Sequence, residues 1–231
     1  MYGLMKINRL FLFIMLGIII FLTLGQVCIG VTATNCTEIK GEVQDARIPE
    51  IQGASHQSPL LCYRVMKVPG VVTYVLKDGF YMQDPEPDNN NSTSEGIFVF
   101  TKVRPNVSEG DYTLVNGVVK EYWYGGNDLS MTEIVADKNP EPNSSVSASI
   151  IPKVIGIGGR VPPDKIIDDD AKGDLNARST YIFDPDSDGL DFYETLEGIL
   201  VQINDPVIIG LPDSVVYFLF CKMILRPCIQ Y

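Results

Sequence analysis

The chain has 231 residues, of which 45% are hydrophobic and 20% charged, so its composition predicts a folded protein of one or two domains rather than a disordered one. Its 29 acidic and 18 basic residues give a formal net charge of −11. Phosphate backbones are repelled by such a surface, and no run of basic residues offsets the repulsion. Tight, charge-driven binding to DNA is therefore excluded, whereas weak or metal-dependent contact remains open.

The N-terminus carries the pattern of an export signal. Lys6 and Arg9 precede an apolar run over residues 10–25, which is shorter than the ~20 residues of a full membrane span. Small residues at 31–33 offer a cleavage site. We therefore expect residues 1–33 to be a signal peptide and the protein to be secreted or at the cell surface. The alternative is an uncleaved signal, which would then be its only membrane contact.

Export changes how the cysteines are interpreted, because an oxidising compartment favours pairing. We predict a disulfide between Cys36 and Cys62, which would tie a lead-in segment, residues 34–61, to the first strand. Two unpaired thiols are the alternative. The chain has a single histidine, His56, and no CxxC pair, so zinc is not indicated. We expect His56 to be a structural hydrogen-bonding residue.

Five short β-strand patterns follow between residues 62 and 138. A "KDG" turn at 77–79 joins the first two as a hairpin. Gly70 and Gly117 interrupt the first and the fourth, which is typical of bulged or bent strands. Curved strands that close into a barrel leave no exposed sheet edges. We therefore predict an all-β protein with a five-stranded OB-fold-like barrel over residues 62–138. A β-sandwich is the alternative. The predicted strands cover residues 63–76, 80–84, 96–100, 112–124 and 131–138.

Beyond the barrel, residues 139–149 are rich in Pro, Ser and Asn and predict a linker. Residues 150–210 predict a smaller β-rich extension. Within it, "GIGGR" at 156–160 is not a phosphate loop, because Pro162 and the proline after it prevent the helix that would hold the phosphate. Residues 211–231 predict a divergent tail, either the product of a frameshift or a final strand.

An acidic stretch in the extension, "DPDSDGLDFYE" at 184–194, has the alternating carboxylates with which calcium loops begin. An EF-hand is not predicted, because position 12 of such a loop would be Thr195 rather than a glutamate. A looser calcium turn remains one interpretation, since calcium prefers oxygen ligands and is plentiful outside cells. Its predicted ligands are Asp184, Asp186, Asp188 and Asp191.

The alternative interpretation of this stretch is a short helical turn over residues 192–198, capped by Asp191 and Glu194. The nearby "IDDD" at 167–170 is likewise more typical of a solvated turn than of a ligand cluster.

Nucleic acid, if it is bound, is expected on the barrel surface, where aromatic rings stack on bases and cations contact phosphates. Strand aromatics more often belong to a core, and Phe80 and Tyr81 must point to opposite sides. We therefore expect contact to be weak and nonspecific. The predicted residues are Tyr81, Phe98, Tyr122, Trp123 and Lys120, with Tyr124, Lys77, Lys102 and Arg104 as further candidates.

Seven collinear segments between residues 48 and 210 resemble the N-terminal region of secreted microbial extracellular nucleases. Among them are "GVVTYVLKDGFYMQD" (70–84), "VSEGDYTLVNGVVKEY" (107–122) and "FDPDSDGLDFYETLEGILVQINDPVIIG" (183–210). In that family an OB-fold module precedes a metal-dependent endonuclease/exonuclease/phosphatase domain.

The resemblance implies a non-catalytic module that positions or weakly binds nucleic acid, or packs against a nuclease catalytic domain. It also implies a parent enzyme that uses Mg²⁺, Mn²⁺ or Ca²⁺. No catalytic residue is predicted, because the family's two-histidine chemistry cannot be assembled from one histidine. Two alternatives remain: part of an active phosphodiester-hydrolysing nuclease whose catalytic domain is encoded separately, and a calcium-stabilised structural module of the cell surface.

Overall fold

The computed structural model describes residues 32–33, 36–123, 129–173, 175 and 181–204. The tail predicted over residues 211–231, and all but the last two residues of the predicted signal, lie outside this part. The described residues form mostly strands, with two short helices. In chain order the elements are β1 (Thr32–Ala33), β2 (Glu42–Gln44), α1 (Ile48–Gln52), β3 (Arg64–Val75), β4 (Gly79–Gln83), β5 (Gly96–Phe100), β6 (Tyr112–Trp123), β7 (Met131–Ala136), β8 (Lys153–Ile155), α2 (Gly189–Glu194) and β9 (Val201–Ile203).

Strands β3 to β7 close into a five-stranded barrel, as predicted. Neighbours around the ring are β3, β4, β5, β7 and β6, and β6 pairs back with β3. The β5–β7 pair is parallel, whereas the other four pairs of the ring are antiparallel. Counted within the barrel the order is 1-2-3-5-4, the Greek-key arrangement of an OB-fold-like barrel. β1 and β2 lie outside the ring, on β6 and β3 respectively.

The two long strands, β3 and β6, provide the curvature that closure requires. The bulge predicted at Gly70 lies a few residues earlier, where the β3–β6 register shifts between Val65 and Val68. Lys67 has a φ of 55° at that point, and its N–H donates to Asn116 Oδ1 at 2.6 Å. Gly117 is required for close approach, because a Cβ there would lie 2.4 Å from the carbonyl oxygen of Val135 on β7.

Alternate side chains of the strands fill the barrel interior, as the period of two predicts. α1 covers this core with two buried isoleucines, and the Arg47–Asp84 ion pair fixes the start of that helix to the end of β4. The core side chains include Val65, Val68, Phe80, Met82, Ile97, Val99, Val115, Val119 and Ile134, with Ile48 and Ile51 from α1.

Cys36 and Cys62 form the predicted disulfide, with their Cα atoms 5.5 Å apart. Backbone hydrogen bonds add to the link that the disulfide makes. Cys62 N donates to Val119 O at 2.9 Å, and Lys40 N donates to Cys62 O at 3.0 Å. The lead-in segment is therefore bound to both β3 and β6.

The extension is less β-rich than predicted. It contains the short parallel pair β8–β9 and helix α2, which begins at Gly189, earlier than the predicted turn. A second apolar cluster holds these elements together and consists of Ile155, Phe192, Leu196, Ile199 and Val201. Within the described residues, neither helix is long and apolar enough to cross a membrane.

Candidate functional site

The outer face of β4 and β5 is covered by the extension. Tyr81 and Phe98 point away from the barrel interior with ring centroids 5.0 Å apart, yet they are only 5% and 8% exposed. Leu200 packs beside them, and its N–H donates to Gln83 Oε1 at 2.9 Å. This is the face with which OB-folds commonly bind oligonucleotides. Tyr81 and Phe98, which we expected to stack on bases, therefore pack inside the protein instead.

The barrel and the extension also approach each other closely at the backbone of Gly96. A Cβ on Gly96 would lie 2.2 Å from the carbonyl carbon of Gly198, so β5 meets the extension at van der Waals distance only with glycine there. Ser94 Oγ donates to Glu197 O at 2.6 Å, and Gln52 Nε2 donates to Gly96 O at 2.6 Å. Glycine at position 96 is thus explained by a packing partner about a hundred residues away.

The other predicted nucleic-acid residues lie on β6, apart from these two. Tyr122 and Trp123 pair with β1, and both are half-buried. Lys120 stands opposite Glu133 on β7. Burial raises the pKa of Glu133 to about 7; Lys120 opposes this shift and Glu121 adds to it. Lys120 therefore faces a carboxyl group of the protein itself, which competes with a phosphate. Tyr124 lies outside the described residues.

Exposed cations are found at one end of the barrel instead. Lys77 lies in the β3–β4 turn, and Lys102 and Arg104 follow β5; all three are exposed. Thr101 N donates to Asp78 O at 2.9 Å, which holds the turn beside the segment after β5. The loop between the first two barrel strands is one of those that contact nucleic acid in OB-folds.

His56 is the centre of a buried charged group that joins the lead-in segment to α2. It is 1% exposed, with Nε2 2.7 Å from Asp191 Oδ1 and Nδ1 2.9 Å from Glu194 Oε2. Burial lowers the pKa of His56, but the hydrogen bonds to the two carboxylates outweigh it and raise the pKa to about 9. The rings of Tyr181 and Phe183 pack edge-on against the imidazole. The arrangement is that of a structural cation between two acids.

Further buried carboxylates extend this group toward the barrel. Glu121 is fully buried on β6, where it accepts hydrogen bonds from Ser58 N at 2.8 Å and Thr132 Oγ1 at 3.1 Å. Burial raises the pKa of Glu121 to about 7. Glu197 accepts a hydrogen bond from Thr132 N at 2.7 Å. Sequence reasoning missed both glutamates, although Glu121 follows the inward-facing Val115 and Val119 at the strand period of two.

The acidic stretch brings three of its four predicted ligands together. One carboxylate oxygen each of Asp184, Asp188 and Asp191 lies within 4.8 Å of the others. Asp186, the fourth predicted ligand, is exposed and lies outside this group. Asp168 and Asp170, which we expected in a solvated turn, form a second such group with Asp188. Burial and neighbouring carboxylates raise the pKa of Asp184 and of Asp188.

The alternative interpretation of this stretch, a short helical turn capped by Asp191 and Glu194, agrees with the structure in the helix but not in the caps. Asp188 occupies the N-cap position of α2, but its side chain accepts no capping hydrogen bond from the described helix backbone. Asp191 and Glu194 bind His56 instead of capping the helix.

A family model described as a domain of unknown function (DUF8508) matches residues 154–219. The matched region is similar to that family and includes the acidic stretch and α2 but not the barrel. No curated protein matches the chain, and no solved structure matches it.

Proposed function

We propose that this chain is a non-catalytic, OB-fold-like module of an exported nuclease, which holds nucleic acid weakly and nonspecifically beside a metal-dependent catalytic domain. The proposal is supported by the collinear resemblance over residues 48–210 and by the five-stranded ring. In this proposal the catalytic domain supplies phosphodiester hydrolysis, with Mg²⁺, Mn²⁺ or Ca²⁺ as its metal.

The position of the exposed cations is the observation that supports binding of nucleic acid by this module. The β4–β5 face is covered, so stacking on Tyr81 and Phe98 is blocked, whereas Lys77 and Lys102 are exposed beside a loop that OB-folds use. Two cations can contact only a few phosphates, and the net charge of −11 on the chain opposes the binding of nucleic acid. Binding should therefore be weak, with a salt slope of about −1.4 for two phosphates of a single strand.

The test is the fluorescence anisotropy of a labelled single-stranded DNA, titrated with the purified chain in the presence of a chelator at several salt concentrations. Lys77→Glu with Lys102→Glu should abolish binding. Lys40→Glu with Lys67→Glu is the matched control, because it makes the same charge change at exposed sites near the start of β3. Equal loss in both double variants would show that only net charge matters, and absence of binding by the unmodified chain would overturn this part of the proposal.

The non-catalytic part is tested separately by incubating supercoiled plasmid with the purified chain and each divalent metal. We expect no nicking. Metal-dependent hydrolysis by this chain alone would instead support an active nuclease.

A second candidate function is a structural module of the cell surface without a nucleic-acid role. The covered β4–β5 face favours it, because the extension occupies the surface on which a ligand would stack. Failure of the unmodified chain to bind DNA in the anisotropy experiment, together with normal folding, would favour this candidate.

A further inference from the structure

We propose that Asp184, Asp188 and Asp191 bind a calcium ion at the start of α2. This inference goes beyond the nuclease proposal and does not rest on it, because it concerns only the carboxylates of the extension. The three side chains each place one oxygen within 4.8 Å of the others, a separation that allows all of them to coordinate one ion.

The independent observation is a buried oxygen without a donor. Asp188 is fully buried, and among the described residues its Oδ1 has no hydrogen-bond partner. Its other oxygen accepts only a long hydrogen bond, of 3.3 Å from Asp169 N. Asp184 Oδ1 is also buried and without a partner. Buried carboxylate oxygens are normally satisfied, so two such atoms in one acidic group indicate a site that can bind a cation.

The surrounding backbone holds the carboxylates in place. Asp184 N donates to Asp191 Oδ2 at 2.7 Å, which closes the turn onto the helix. Gly189 N donates to Ile166 O at 3.1 Å, which fixes the neighbouring acidic segment against the start of α2. Asp168 and Asp170 are thereby brought to Asp188, where their charge increases the attraction for a divalent ion.

The ligand chemistry favours calcium over zinc or magnesium. All of the available ligand atoms are oxygens, whereas zinc prefers the nitrogen and sulfur ligands of His and Cys. Both nitrogens of His56 are already directed at Asp191 and Glu194. Calcium accepts six to eight oxygens in flexible geometry, whereas magnesium keeps much of its water and requires a regular octahedron.

The experiment compares Asp188→Asn with Asp186→Asn in the chelator-treated full chain. Both variants remove one negative charge from the same turn, but Asp186 is exposed and outside the group. Calorimetric titration with CaCl₂ should give a Kd on the order of 10⁻⁴ M for the unmodified chain, as in extracellular calcium modules. At about a hundredfold excess over Kd, Tm should rise by about 5–10 °C. Asp186→Asn should behave in the same way.

Asp188→Asn should bind at least about tenfold more weakly and lose the Ca²⁺-dependent rise in Tm. It should still fold, because it relieves repulsion between carboxylates, and its circular dichroism spectrum checks this. Three results would overturn the proposal: no heat and no Tm shift in the unmodified chain, equal losses in both variants, or an equal response to MgCl₂. None of them bears on DNA binding by Lys77 and Lys102, which is measured in chelator.

Discussion

His56 Nε2 lies 2.7 Å from Asp191 Oδ1, and this contact joins two parts of the chain that are 135 residues apart in sequence. Both side chains are about 1% exposed, and the other nitrogen of the same imidazole binds Glu194. One buried cation therefore contacts two buried acids, and it couples the lead-in segment of the barrel to the helix of the extension.

His56→Gln should strongly destabilise the protein, because it leaves Asp191 and Glu194 buried without their cation. Removing one partner of a buried ion pair typically costs about 3–5 kcal/mol. Urea unfolding in chelator, followed by circular dichroism, measures this loss. A cycle with Glu194→Gln should give a coupling energy of about 1–3 kcal/mol. A loss below about 1 kcal/mol for His56→Gln would mean that this group contributes little to stability.

Glu133 should make stability depend on pH. Its pKa is raised to about 7 by burial, against 4.5 for the ordinary side chain, so the folded state binds its proton more tightly than the unfolded state does. The resulting stabilisation is complete below about pH 4.5 and is lost as pH rises through 7. Between pH 5 and pH 8 the unmodified chain should therefore lose about 1–3 kcal/mol more stability than Glu133→Gln.

Urea unfolding at a series of pH values checks this prediction, with the exposed Glu38→Gln as the control. Parallel stability curves for Glu133→Gln and the unmodified chain would contradict it.

Gly96→Ala should loosen the extension from the barrel. The added methyl group would lie 2.2 Å from the carbonyl carbon of Gly198, and a shift of Gly96 to relieve this clash would disturb its pairing with Gln83 on β4. We expect a loss of about 1–3 kcal/mol, typical of overpacking, and faster proteolysis of the extension. Gly41→Ala is the control, because its methyl group meets only the ring of Tyr63 at 3.1 Å. Similar stability and proteolysis of the two variants would argue against the contact.

The Cys36–Cys62 bridge should contribute about 3.5 kcal/mol to the free energy of unfolding, as expected for a loop between cysteines 26 residues apart. Cys36→Ser with Cys62→Ser removes it. Urea unfolding of this variant should match that of the unmodified chain in reductant. A reductant-insensitive transition in the unmodified chain would show that the bridge is absent or unimportant.

The barrel could be predicted because its signals are local. The "KDG" turn and the alternation of side chains determine β4, and glycines within β3 and β6 indicate curved strands. The predicted strand over 96–100 matches β5. Closure then follows from the need to satisfy strand edges.

The burial of the outer face of β4 and β5 under the extension could not be predicted in this way. Alternation places Tyr81 on the side opposite Phe80, but it does not reveal that Leu200 will cover Tyr81. The carboxylates show the same limit. Regular spacing indicated an acidic group, but it did not reveal that Asp186 would be exposed. It also did not reveal that Asp168 and Asp170 would approach Asp188, because that depends on hydrogen bonds between α2 and residues 166–167.

The position of β7 between β5 and β6 also determines when the barrel can form. Arg64 pairs with Val118, and Phe98 with Glu133, so the ring stays open until the chain has been made as far as β7. Closing such long loops is slow compared with forming a hairpin. A nascent or shortened chain that ends before Met131 would expose the edges of β5 and β6 to other copies, and aggregation would then compete with folding.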